Sequence, residues 1–394
     1  MKKLALATAG VSVAAIAVAA PPTSVPPVAT YWMDAATQSG MGAGMTSGGR
    51  PDMGQIMSMM SGRGGSVAHT LYLHLGSRDK ASGPPSAEHL PPASLAMGPS
   101  LPLVSPERAS PVRETVPGMP QNWERPKGRM LIYWGCGEHV AAGQPTVIDF
   151  AKLAAGQMPP AFATMAKMAQ SAMGPRAGSH PSFGEWPNHR DSRAVPATGS
   201  LVGSHKVQAN YAPPIAFTLA QDFMPALGLA EGGALPSGAT PLNWQQAPGA
   251  SGYALWMFGA AGNGDIIMWS SAKSASMMAN QDYLSPAEVT RQIAAGTVLP
   301  PSASQCILPA EVSQAAPQGV VSMIGYGPEA NFAEAPKAPK WVAKVRFKTG
   351  ATMIRGMGAM SMGNDERSAA QPAQPPRKKK RFGLGDVLKN VPLP

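Results

Sequence analysis

Apolar and polar residues alternate with a period of two in several short runs, which predicts β-strands. The run at 340–350 is the clearest example. Its apolar face carries Trp341, Ala343, Val345 and Phe347, and its cationic face carries Lys344, Arg346 and Lys348. This division predicts a half-buried strand whose cations face solvent. The run HTLYLHLG at 69–76 alternates in the same way and predicts a second strand.

The strand runs fall into two groups that are separated by segments rich in proline and glycine. We expect β-rich units at 67–222 and 239–352, a proline-rich insertion at 81–128, a linker at 223–238, a flexible Gly/Met/Pro-rich arm at 20–66 and a flexible basic tail at 353–394. The predicted fold class is mainly β, with two β-sandwich units of immunoglobulin or fibronectin type III character, short helical insertions and disordered ends.

Two short helices are expected among the strands. Ser285 and Glu288 occupy the positions of a capping box, which predicts a helix that begins there and ends near Gly296. A second helix is predicted over 160–173, after Pro159 and Pro160.

The segment PLNWQQAPGASGYALWMFG at 241–259 predicts a hairpin with its turn at Pro248-Gly249. Leu242-x-Trp244 followed by Tyr253-x-Leu255 resembles the B and C strands of a fibronectin type III domain over residues 239–350. The resemblance implies that Trp244 and Tyr253 are core residues rather than catalytic ones. The whole chain also resembles uncharacterised exported proteins of Gram-negative bacteria, which implies no activity.

The first residues have the pattern of a secretory signal. Lys2 and Lys3 precede the apolar run LALATAGVSVAAIAVAA, and Ala17-Val18-Ala19 offers a small-x-small cleavage site. We therefore predict a signal peptide at 1–19 and export to the periplasm or cell envelope.

Most of the positive charge lies at the other end of the chain. The net charge is +10, which falls to +8 without Lys2 and Lys3, and +5 of it lies in 377–394. The remaining body is close to +3, which is too little for a nucleic-acid-binding face, so we expect no nucleic-acid partner.

The basic tail suggests a partner of another kind. Five consecutive cations, Arg377, Lys378, Lys379, Lys380 and Arg381, precede Phe382, Leu384, Leu388 and Val391. Cations next to apolar residues at helical spacing favour contact with an anionic membrane surface. The alternative is a solvated tail without a partner.

The two cysteines, Cys136 and Cys306, predict one disulfide, because an exported chain with an even cysteine count meets an oxidising compartment. The alternative lies in GCGEH at 135–139. There Cys136 could be a nucleophile with His139 as its base, or Cys136, Glu138 and His139 could ligate a metal.

No familiar catalytic or phosphate-binding motif occurs in the chain, so we expect no enzymatic activity. His180 and His189 flank PSFGEWPN, with Glu185 and Asp191 nearby. A hydrolase remains an alternative if a pocket gathers two or more of Glu138, His139, His180 and His189.

Methionine is unusually clustered. One cluster comprises Met41, Met45, Met53, Met57, Met59 and Met60, and another comprises Met353, Met357, Met360 and Met362. Thioethers suit Cu(I), so a periplasmic copper-binding protein is an alternative; adaptable hydrophobic contact is the other explanation. The favoured expectation is an exported, envelope-associated binding or structural protein that needs no cofactor and has no catalytic activity.

Overall fold

The computed structural model describes residues 26–46, 67–106, 128–154, 174–275 and 282–356. The strands are β1 Ala29–Gly40, β2 Val67–Ser77, β3 Ala87–Leu90, β4 Leu101–Pro102, β5 Arg129–Trp134, β6 Thr146–Asp149, β7 Ser182–Trp186, β8 Gly203–Ala209, β9 Ala212–Leu219, β10 Ala230–Glu231, β11 Thr240–Asn243, β12 Gly252–Ala260, β13 Ile266–Ser270, β14 Gln305–Leu308, β15 Gly319–Ala333 and β16 Trp341–Arg355. The helices are α1 Met41–Thr46, α2 Phe150–Ala154, α3 Pro286–Ala294 and α4 Ala310–Ala315, with a 3₁₀ turn at Ala93–Leu95. The predicted mainly β class is confirmed.

The strands form three sheets. The large sheet has nine strands in the order β6-β5-β13-β12-β15-β16-β1-β2-β7. Two of its pairs, β1 with β16 and β13 with β5, are parallel. An N-terminal small sheet has the order β4-β3-β8-β9, and a C-terminal small sheet has the order β10-β11-β14.

Both small sheets pack on the large sheet. A single hydrophobic core joins Leu73 of the large sheet, Val207 of the N-terminal small sheet and Leu308 of the C-terminal small sheet. The alternation along β1 turns Tyr31 and Met33 into this core. The opposite face of the large sheet is therefore left for other elements to cover.

Helix α3 covers part of that opposite face. Its buried Val289 packs with Ala254, Ile324 and Tyr326 in a separate cluster. The Ser285 hydroxyl accepts a hydrogen bond from the Glu288 backbone N–H at 3.2 Å, so the helix begins where the capping residues predicted.

The prediction of a flexible arm at 20–66 is wrong for residues 29–40. These residues form β1, which pairs with β16 from Ala29–Trp341 to Gly40–Thr352 and with β2 on its other side. Because β1 is central and largely buried on both faces, its sequence lacks the alternation that identified the other strands.

The predicted unit boundaries also need correction. Strand β5 of the expected first unit pairs with β13 of the second, and β1 and β2 continue the large sheet beyond β16. The insertion at 81–128 contributes β3 and β4, and the linker at 223–238 contributes β10. Two separate units would have exposed strand edges with unpaired backbone N–H and C=O groups. Hydrogen bonds within the large sheet pair these groups, which is the physical reason why the strands of the two expected units join.

Several predictions fall outside the described residues: the signal peptide at 1–19, the helix at 160–173 and the basic run at 377–381. Within the described ranges, no helix is both long and apolar enough to cross a membrane.

Candidate functional site

A polar cleft lies on the face of the large sheet that is turned away from the small sheets. Its base is formed by three adjacent strands, β2, β1 and β16. Asp34 and Gln38 project there from β1, because they alternate with residues of the core face. Strand β2 supplies Thr70, Tyr72 and His74, and β16 supplies Lys348.

A depression is present because the middle of β1 carries a small side chain. Ala36 stands between Thr70 and Lys348 in the strand register. Asp282 and Tyr283, which precede α3, form a wall above the sheet. The resulting cavity has a volume of about 200 Å³.

The charges at the cleft are paired. Arg346 donates two hydrogen bonds of 2.6 Å to the carboxylate of Asp34. Its guanidinium carbon lies 4.4 Å from the centroid of the Trp32 ring and 4.5 Å from that of the Tyr283 ring. Aromatic rings at these distances favour the cation.

Lys348 forms an ion pair with Asp282, and its ammonium lies 4.4 Å from the centre of the Tyr283 ring. Arg346 and Lys348 are only 8% and 6% exposed. The expectation that these cations face solvent is wrong, because Trp32, Tyr283 and Asp282 cover them.

Other polar groups of the cleft have no partner. The Tyr283 hydroxyl is buried and unpaired among the described residues. In the same part of the chain, the structure shows no hydrogen bond from the side chain of Gln38, Thr70, Tyr72 or His74. Gln38 is 8% exposed and Tyr283 is 6% exposed. Since buried polar groups are nearly always hydrogen-bonded, Tyr283 and Gln38 are exceptions, whereas Thr70, Tyr72 and His74 present their polar atoms to solvent in the cleft.

Burial sets the protonation states around the cavity. It lowers the pKa of His74, an effect that the nearby Asp34 opposes and Arg346 reinforces. Burial also raises the pKa of Tyr283 well above its usual value, and Asp34 and Asp282 add to that rise. The imidazole is therefore neutral near pH 7 and the phenol keeps its proton.

A second polar cluster lies on the core face of the large sheet and begins at Tyr31 of β1. Tyr31, His89 and His205 are fully buried and form a hydrogen-bonded chain that ends at the Leu201 carbonyl. It is closed to solvent, so we treat it as part of the framework.

The predicted disulfide is confirmed: Cys136 is bonded to Cys306. Cys136 is therefore not a free thiol nucleophile. His139 instead lies 3.0 Å from the carboxylate of Glu311, in an exposed pair. The backbone carbonyl of Glu138 accepts a hydrogen bond from Ala310, so GCGEH ties β5 to α4.

The large sheet does not bring the predicted hydrolase residues together. Glu138 and His139 follow β5, the second strand, whereas His180 and His189 flank β7, the ninth. Seven strand spacings of about 4.8 Å separate these strands, a span of roughly 30 Å along the sheet. The polar cleft is lined by none of the four residues.

The methionine clusters are only partly within the described residues. Met41 belongs to α1 and Met353 to β16, whereas Met53, Met57, Met59, Met60, Met357, Met360 and Met362 lie outside the described ranges, as does the side chain of Met45. Across the described part of the chain, no group of three or more His, Cys, Asp or Glu side chains is arranged to hold a metal ion.

Comparisons of this chain with protein-family models, with curated proteins and with solved structures found no match.

Proposed function

We propose that this chain is an exported, non-catalytic binding protein and that the polar cleft is its ligand site. The observation that carries the proposal is the carboxamide of Gln38, which lines the cavity, belongs to a residue only 8% exposed and has no hydrogen-bond partner among the described residues. A buried polar group without a partner costs about 1–3 kcal/mol, which a ligand that supplies the missing hydrogen bonds would recover.

The arrangement of the cleft supports binding rather than catalysis. Covalent catalysis needs a nucleophile within hydrogen-bond reach of a base. Thr70 is the only serine, threonine or cysteine among the lining residues, and it stands four positions from His74 on one strand. That separation is about 13 Å along an extended chain.

We propose in addition that β10 to β16 form a sandwich like that of fibronectin type III domains. Two observations support this. Strands β11 and β12 lie in different sheets, as strands B and C do in sandwiches of this class. The rings of Trp244 and Tyr253 meet edge to face across the space between them, at 5.7 Å. The N-terminal small sheet packs on the other half of the large sheet in a comparable way, which supports a second sandwich that shares the large sheet.

Export to the periplasm or cell envelope is part of the proposal. The residue pattern of 1–19 supports it, and so does a disulfide, which persists in oxidising compartments. The basic tail at 377–394 would hold the protein near an anionic membrane surface, where a binding protein meets envelope components.

The proposal can be tested with three probe mixtures added to the isotope-labelled full-length mature protein. The mixtures contain neutral sugars and polyols, small phosphates and carboxylates, and small ammonium compounds. We expect one mixture to give saturable chemical-shift changes at the amides of Gln38, His74 and Tyr283, and the bound compound to be recovered unchanged. If no mixture shifts these amides, the cleft is not a ligand site. If the compound is converted, the protein is not merely a binding protein.

A further inference from the structure

We infer that the ligand of the polar cleft is a neutral, polyhydroxylated molecule: a saccharide unit. The inference rests on the proposed function of the cleft as a binding site. It follows from the charge, the hydrogen-bonding groups, the exposed aromatic ring and the size of the cavity.

The charges of the cleft compensate one another. Asp34 is held by two hydrogen bonds from Arg346, and Asp282 is paired with Lys348. A charged ligand would have to compete with these pairs, and breaking a buried ion pair is costly. A neutral ligand binds without disturbing them.

The groups left free for a ligand are those that hydroxyl groups match. Gln38 offers a carboxamide and Thr70 a hydroxyl, so each side chain can both donate and accept a hydrogen bond. The neutral imidazole of His74 adds one donor and one acceptor. A sugar hydroxyl also donates and accepts, whereas an apolar ligand would leave these groups unpaired.

One aromatic ring is available for stacking. Tyr72 lines the cavity and is 43% exposed, so its ring is accessible to a ligand. The ring of Tyr283, in contrast, is occupied by the cations of Arg346 and Lys348. Tyr72 therefore presents an apolar surface with a polar tip, which suits the C–H face and hydroxyl edge of a sugar ring.

The size of the cavity limits the ligand. Pockets for drug-sized molecules have volumes of about 300–1,000 Å³. The cleft, at about 200 Å³, is smaller and accepts a single sugar unit. The rim carries Tyr72 and the half-exposed Asp282, so further units of a longer glycan extend into solvent.

The test is a calorimetric titration of the full-length mature protein with methyl glycosides of glucose, galactose, mannose and N-acetylglucosamine, and with their disaccharides. Inorganic phosphate, acetate and tetramethylammonium are titrated in parallel. We expect at least one saccharide to bind and the three ions to give no heat of binding at the cleft.

Three variants locate the binding. Gln38→Leu removes the carboxamide and should weaken binding by about 3- to 10-fold, since 1.4 kcal/mol corresponds to tenfold. Tyr72→Ala removes the stacking surface and should weaken binding by about tenfold. Tyr211→Phe is the control, because it removes an unpaired hydroxyl that lies in the core beside Gly184. It should leave the Kd unchanged.

The outcomes separate the two proposals. If phosphate, acetate or tetramethylammonium binds with the same sensitivity to Gln38→Leu and the saccharides do not, the ligand class is overturned while the binding function stands. If no probe binds, both proposals fail. If a saccharide binds equally well to Tyr72→Ala, Gln38→Leu and the unaltered protein, it occupies another surface and the inference is overturned.

Discussion

The buried chain of Tyr31, His89 and His205 predicts that acid destabilises this protein. The Tyr31 hydroxyl lies 2.9 Å from Nδ1 of His89, and Nε2 of His89 lies 3.2 Å from Nδ1 of His205. Nε2 of His205 lies 2.7 Å from the Leu201 carbonyl oxygen. Since a carbonyl oxygen only accepts, His205 donates to it, His89 donates to His205, and Tyr31 donates to His89.

This order of donors requires both imidazoles to be neutral. A further proton on either ring would turn the Tyr31 hydroxyl into an acceptor, leave its own proton without a partner and place a positive charge in a buried site. Burial lowers the pKa of His89 well below its usual value, and the neighbouring His205 lowers it further. Burial also lowers the pKa of His205, which the Leu201 carbonyl partly offsets. The native state therefore resists the protons that an unfolded chain accepts.

The sign and size of the effect follow from proton linkage. An unfolded histidine titrates near pH 6.5, so below that pH the unfolded state binds more protons than the native state. The contribution of the neutral histidines to the free energy of unfolding is therefore fully present above about pH 7. It is lost as the pH falls through the unfolded-state pKa near 6.5. Between pH 7 and pH 5 a histidine that stays neutral in the native state accounts for a loss of about 2 kcal/mol, so the pair accounts for a loss of at most about 4 kcal/mol.

The assay is urea unfolding at pH 7, 6 and 5 for the unaltered protein and two variants. His69, His74 and His180, whose pKa burial also lowers, contribute to the total in every protein measured. Between pH 7 and pH 5, His89→Gln should therefore lose about 2 kcal/mol less unfolding free energy than the unaltered protein loses.

Tyr31→Phe removes the donor at the start of the chain but keeps both histidines. It should cost about 1–3 kcal/mol at pH 7, because Nδ1 of His89 is left buried without a partner. The decrease in its unfolding free energy between pH 7 and pH 5 should stay close to that of the unaltered protein. If stability is the same at pH 7 and pH 5, or if His89→Gln keeps the full dependence on pH, the histidines are not held neutral and the reasoning fails.

Four further predictions concern the framework and the tail. Trp244→Ala should destabilise the fold by about 3–5 kcal/mol in urea unfolding, and a change below about 1 kcal/mol would mean that this ring is not a core residue. Reducing the disulfide, which spans 170 residues, should cost up to about 5 kcal/mol through the entropy of the unfolded chain, measured with and without dithiothreitol. Asp34→Asn should destabilise the fold by up to about 3–5 kcal/mol, because it removes the carboxylate charge that accepts two hydrogen bonds from the buried Arg346; equal unfolding midpoints would refute this. Deleting 377–394 should abolish salt-sensitive binding to anionic vesicles, and equal partitioning of both proteins at low salt would contradict the membrane contact.

Several local features of the fold were predictable from the sequence. The strand that carries Leu71 and Leu73 and the strand that carries Trp341 both follow period two, because one face meets the core and the other does not. The cap at Ser285 depends only on its own neighbours. The disulfide followed from the even cysteine count and the oxidising compartment that the first residues predict. The hairpin predicted at 241–259 is wrong, because β11 pairs with β14 in one sheet and β12 with β15 in another.

The cleft could not be predicted in this way, because its residues are distant in sequence. It combines Asp34, His74, Tyr283 and Lys348, which meet only when β1 inserts between β16 and β2. The alternation of β16 marked its cations as exposed, and no local pattern indicates that Trp32 and Tyr283 cover them. The one available sign was Asp34, an acidic residue in a stretch of apolar and small polar residues.

Strand β1 links the two polar features, because each of its faces serves one of them. Tyr31 begins the buried histidine chain on the core face, and Asp34 and Gln38 lie in the cleft on the other. A slip of one residue would exchange these faces and place the carboxylate in the core. Pairing with β16 from Ala29 to Gly40, together with the antiparallel pairing to β2, excludes that slip. The register of a strand that no local pattern revealed therefore positions both the framework histidines and the proposed ligand site.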